Sequence, residues 1–74
     1  MLSYPSLEAV NQADRIQLGR WVRFLPSPGL SALKSPDFGT VWRQEGDILE
    51  RIINRFTELG GWSPEISKEV GLTV

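Results

Sequence analysis

Seventy-four residues without a single cysteine or histidine make one small domain, 1–74, and exclude disulfide staples, thiolate or imidazole metal sites, and Ser-His-Asp or Cys-His catalysis. Eight basic against nine acidic side chains give a net charge of −1, so no overall field draws in nucleic acid or anionic lipid. No apolar run approaches the roughly 20 residues that span a bilayer, and the N-terminus lacks the basic-then-apolar pattern of an export signal.

An apolar content of 41% beside 23% charge, with three tryptophans, belongs to a chain that folds. Missing cysteines fit a reducing cytosol. Ser6 caps a short turn over Leu7-Glu8-Ala9-Val10. Asn11, with Asp14 three residues on, reads as the N-cap of a helix over about 12–25. Leu18, Trp21, Val22 and Leu25 recur at i, i+3, i+4 and i+7 and make its apolar face. Pro26-Ser27-Pro28-Gly29 stops that helix. Pro28-Gly29 suits the centre of a type II turn, because proline sets the first φ and glycine accepts the positive second one.

Leu30-Ser31-Ala32-Leu33 can form a single helical turn. Ser35-Pro36-Asp37 then opens a second helix over about 36–59, with a hydroxyl cap, proline at the first position and an acid in the first turn. Gly60-Gly61 ends it. Along this helix Phe38, Val41, Trp42, Ile48, Leu49, Ile52, Ile53, Phe56 and Leu59 fall within an arc of about 140°. Arg43, Asp47, Glu50, Arg51, Asn54 and Glu58 lie opposite, and Asp47 precedes Arg51 by four residues, the favourable order for a pair. Ser63-Pro64 caps a last short helix that reaches Val70 and stops at Gly71.

The pattern predicts an all-α fold: an antiparallel helical hairpin, about 12–25 and 36–59, with short N- and C-terminal helices. At 1.5 Å per residue the two hairpin helices are about 21 and 36 Å long. The shorter one then covers the longer from its start to about Leu49. Leu7, Val10, Trp62, Ile66 and Val70 are left to cover Ile52 to Leu59. Part of the apolar stripe stays open, so the fold is expected to be completed by oligomerisation or by a partner.

Three groups of residues are candidates for function. Phe38, Trp42, Leu49, Ile52, Phe56 and Leu59 follow a 4-3 spacing with Glu45 at the remaining core position. That is either a hairpin core, with Glu45 meeting an arginine of the first helix, or a seam between two chains, with Glu45 setting the register. Gly39 and Gly46 stand one heptad apart and each costs about 1 kcal/mol against alanine, which close packing of another helix would explain. Ile16, Arg20 and Arg23 share the outer face of the first helix with Phe24 at its edge, a basic face bearing two apolar groups, suited to phosphate or to an acidic protein groove. Its rival is an ordinary solvated face. A further alternative is a small nucleic-acid-binding accessory that uses Arg15, Arg20 and Arg23 across a dimer. A specific nucleic-acid site usually needs more phosphate contacts than these supply. No paired carboxylates, phosphate loop or ligand cluster occurs in the pattern, so no catalytic residue, metal ligand or cofactor is expected.

Asp14-Arg15, Leu18, Arg20-Trp21 and Arg23-Phe24-Leu25-Pro26-Ser27-Pro28-Gly29, followed by Arg51-Ile52, Arg55-Phe56 and Leu59-Gly60-Gly61-Trp62-Ser63-Pro64-Glu65-Ile66-Ser67-Lys68, resemble a set of short proteins encoded by tailed bacteriophages and prophages. The likeness runs over nearly the whole chain, and the R-F-L-P-S-P-G block is its most specific part. It implies viral origin, with action in the host cytoplasm or in the virion. The partner would be a phage structural protein or a host protein. The resemblance carries no activity and no site residues with it.

Overall fold

The computed structural model describes residues 3–71. It is all-helical: α1 (Leu7–Gln12), α2 (Arg15–Phe24), a 3-10 turn (Leu30–Ala32), α3 (Phe38–Glu58) and α4 (Pro64–Val70). Local chemistry sets most of the boundaries. Ser6 Oγ accepts from the Ala9 N–H at 3.1 Å and Ser63 Oγ from the Ile66 N–H at 3.2 Å, each removing one orphan donor of a first turn. Gly29, at φ 80° and ψ −3°, closes a type II turn whose Leu30 N–H donates to the Ser27 carbonyl at 3.1 Å. At the end of α3, the Gly61 N–H reaches the Phe56 carbonyl at 2.8 Å and the Gly60 N–H the Thr57 carbonyl at 3.0 Å. This is a Schellman closure, and both glycines have positive φ.

Two boundaries differ from the expectation. The N-terminal helix continues to Gln12, and the next starts after a break at Ala13-Asp14, with Asp14 itself as the cap: its Oδ1 accepts from the Gln17 N–H at 2.8 Å. Asn11 caps nothing. Its Oδ1 instead accepts from Arg51 Nε at 2.9 Å. Arg55 explains the break, for its Nε and Nη2 donate to the Val10 and Ala13 carbonyls at 3.0 and 3.2 Å. The carbonyls left free at the end of α1 thus find a cation from α3. The long helix begins two residues late, at Phe38, because Ser35 Oγ takes the Asp37 N–H at 3.1 Å in a turn that precedes it.

α3 is the spine. α1 lies parallel to it, with Asn11 beside Arg51 and Ala13 beside Arg55. α2 runs antiparallel: Arg15 donates to the Gly61 carbonyl through Nε at 2.9 Å and Nη2 at 2.7 Å, and Gly19 packs on Phe56. α4 folds back on both, placing Val70 against Gly19 and Ile66 against the core. Val10, Leu18, Ile52 and Phe56 form that core, with Ala13, Trp21, Val22, Leu25, Ile48 and Ile66 packed around it. Trp62 meets the Phe56 ring edge-on at 4.8 Å.

The hairpin is therefore shifted from the expected one. α2 covers the second half of α3, not its start. The reason is the connector. Pro26-Ser27-Pro28 and the 3-10 turn carry the chain along the first half of α3 before it enters the helix, and Gly29 packs against Phe38 and Trp42. Across its thinnest direction the Cα trace spans 14 Å, little more than one helix-to-helix spacing of about 8–10 Å. Among the described residues, no helix backs α3 on its far side.

Candidate interaction surfaces

The expected seam along α3 splits in two. Ile52 and Phe56 are buried within the chain, whereas Leu49 is half-buried and Trp42 and Leu59 are 55% and 44% exposed. Phe38 is half-buried against Gly29. Trp42 and Leu59 are thus not part of the intrachain core. Ile53, also grouped with the apolar stripe, is 45% exposed.

Glu45 is paired inside the chain, and its partner is backbone. Its Oε1 accepts the Gly29 N–H at 2.9 Å, fastening the type II turn to α3. No arginine of α2 takes that role, because α2 lies too far along α3. Tyr4 closes the same corner by donating from its hydroxyl to the Pro26 carbonyl at 2.6 Å. Burial, reinforced by the negative charge of Glu45, raises the Tyr4 pKa above its ordinary value.

The two glycines of the long helix do not pack closely within the chain. A Cβ at Gly39 or Gly46 would meet no atom within 4 Å, while one at Gly19 would lie 3.1 Å from both Phe56 Cε1 and Val70 Cγ2. Gly19 is instead a close-packing glycine, pressed by Phe56 of α3 and Val70 of α4.

On α2, Arg20, Arg23 and Phe24 are exposed and Ile16 is half-buried, all turned away from Leu18. Phe24 is 48% exposed, and the Arg23 guanidinium carbon sits 5.6 Å from its ring centroid. Arg15 does not belong to this basic face, because its guanidinium is committed to the Gly61 carbonyl and lies under Gly60. Sequence reasoning missed both Arg15 and Arg55 as internal clamps. Their acceptors lie 42 to 46 residues away along the chain, so no local pattern signals them.

No protein-family model, curated protein or solved structure matches this chain. The surface must speak for itself. Among the described residues, no group of three or more acidic side chains is placed to hold a metal ion, and no buried side-chain nitrogen or oxygen lacks a hydrogen-bond partner. No described helix is long and apolar enough to cross a membrane.

Among the described residues, a groove on α3 and a basic face on α2 combine exposed apolar and charged side chains. The groove, about 440 Å³, runs along the bare side of α3, floored by Trp42, Gly46, Leu49 and Ile53 and walled by Pro28. Arg43, Asp47, Glu50 and Asn54 form its polar rim.

Proposed function

We propose that this chain is a non-enzymatic protein-interaction module of phage origin that binds a protein partner through the outer face of α2. The observation that carries the reading is Phe24: a large apolar ring, 48% exposed beside two exposed arginines on the side of α2 opposite the core. Aromatic and arginine side chains are the commonest anchors of protein interfaces, and a few of them hold most of the binding energy. The partner that fits is a protein with an acidic surface and an apolar slot for Phe24, flanked by a shallow contact for Ile16. The resemblance to short phage proteins supports action in an infected cell or in the particle, as a minor virion or assembly component or as a factor that binds a host protein.

The nucleic-acid alternative is weaker than the sequence made it. Of the three cations it calls on, Arg15 is held by the Gly61 carbonyl, which leaves Arg20 and Arg23. Across a dimer that is four phosphate contacts in place of six, with a shallower salt dependence and lower affinity.

The test is affinity capture from phage-infected lysate beside an Ile16/Arg20/Arg23→Ala triple variant and Phe24→Ala, followed by titration of the purified captured protein. A partner that binds the wild type at 300 mM salt and is lost by both variants supports the reading. Virion proteins among the captured set indicate an assembly role and a single host protein a host-directed one. Binding that survives both variants refutes the assignment to α2.

A further inference from the structure

The bare face of α3 is self-complementary, and we propose that it docks an antiparallel second copy of this chain. This surface is separate from the outer face of α2, so the inference stands or falls independently of the function proposed above.

At 100° per residue, Trp42, Gly46, Leu49 and Ile53 lie within an arc of about 60° on α3. Trp42 and Ile53 are 55% and 45% exposed, and a Cβ on Gly46 would meet nothing within 4 Å. The face therefore offers two knobs at its ends and a hole near its middle. A twofold axis passing midway between Gly46 and Leu49 sets Trp42 against Ile53 of the second copy and Leu49 against its Gly46. Trp42 then packs on Ile53 of the other copy at each end of the seam, while Leu49 faces the hole. The missing side chain at Gly46 leaves room for the incoming leucine, and the cost of a glycine inside a helix gains a reason.

Charge selects the same orientation. Arg43 and Glu50 sit on one rim of the groove, with Asp47 farther around the helix. A twofold axis perpendicular to the two helices keeps both rims on the same side. Arg43 then lies about two residues, roughly 3 Å, along the axis from Glu50 of the other copy. A parallel pair has its twofold along the helices, which sends the Arg43–Glu50 rims of the two copies to opposite sides of the seam and forms no such pair. Shape and charge therefore agree on an antiparallel second copy. The groove wall at Pro28 belongs to the connector, which Glu45 and Tyr4 hold in place.

Sedimentation velocity over low-micromolar to several-hundred-micromolar chain tests this, with circular dichroism to confirm helix content in every variant. The wild type is expected to dimerise in that range. Arg43→Glu should weaken the dimer about tenfold by setting acid against acid. Arg43→Glu combined with Glu50→Arg should restore it to within about threefold, since the swap rebuilds both cross-chain pairs. Gly46→Gln, which fills the hole with a polar side chain, should abolish it while leaving the monomer helical. A wild type that stays monomeric throughout would overturn the proposal and leave the groove to a different protein. A dimer that ignores Arg43→Glu, or that the double swap fails to rescue, would overturn it equally.

Discussion

Ile52 and Ile53 are neighbours with identical side chains, yet the structure assigns them opposite fates. Ile52 is fully buried between Val10, Leu18 and Phe56, while Ile53 is 45% exposed on the bare face of α3. Truncation to alanine removes three carbons from each. At Ile52 the transfer term is about 2.4 kcal/mol at roughly 0.8 kcal/mol per carbon. The cavity left behind adds about 1 kcal/mol, and alanine's better helix propensity returns a few tenths, so Ile52→Ala should cost about 3 kcal/mol. At Ile53 about half the transfer term applies, with no cavity, and the net cost is about 1 kcal/mol or less. A domain of this size holds roughly 4–11 kcal/mol in all, so the first change is severe and the second mild. Thermal melts and urea titrations followed by helix circular dichroism, at low-micromolar chain to keep association out, should separate the two variants by roughly 10–20 °C. If they differ by less than about 0.5 kcal/mol, or if Ile53→Ala is the costlier, the placement of the core on this side of α3 is wrong.

Four further outcomes follow from local geometry. Arg55→Lys keeps the charge but loses the fork that spans the Val10 and Ala13 carbonyls; it should cost about 1–2 kcal/mol and release hydrogen-exchange protection first in α1. Gly29→Ala should cost about 2–4 kcal/mol, since its φ is 80° and the new Cβ would lie 2.9 Å from Phe38 Cε2. Gly46→Ala, with open space around it, should instead stabilise the isolated monomer by up to about 1 kcal/mol, and melting of the two variants side by side reads both signs. Tyr4, the chain's one tyrosine, holds its proton more tightly when folded. The unfolded chain therefore ionises first above pH about 10, and stability falls as pH rises from there through the folded pKa. The 295-nm absorbance titration should give a midpoint above the ordinary tyrosine value, and Tyr4→Phe should remove part of the alkaline loss in melting temperature. A midpoint at or below that value would contradict the buried corner beside Glu45.

How far the sequence reached depended on the range of the interaction. Ser6, Ser63, Pro28-Gly29 and Gly60-Gly61 act on residues two to five positions away, so their sequence neighbourhood contains everything they need, and each does what its chemistry predicts. The all-helical class was legible for the same reason: the period of the apolar residues on α3 is a local property. Asn11 and Asp14 show where this fails. Both are good caps, and the choice between them is made by Arg55, 42 residues along the chain from Ala13, which draws the chain into a break there. The α2 face was half legible. Periodicity correctly turned Arg20, Arg23 and Phe24 outward, but nothing local removed Arg15 from the basic set.

The sequence by itself determined that α3 has one apolar side, where α4 begins and ends, and that the short flanking helices are too small to cover that side. Tertiary structure alone decided which part of the side is covered. That choice rests on the path of residues 25–37, whose prolines and 3-10 turn carry the chain past the first half of α3 and set α2 against the second. A helical period says which residues share a face. It is silent on where along the helix a neighbour lands, and here that landing point separates a buried Ile52 from an exposed Ile53 and leaves Trp42 facing outward.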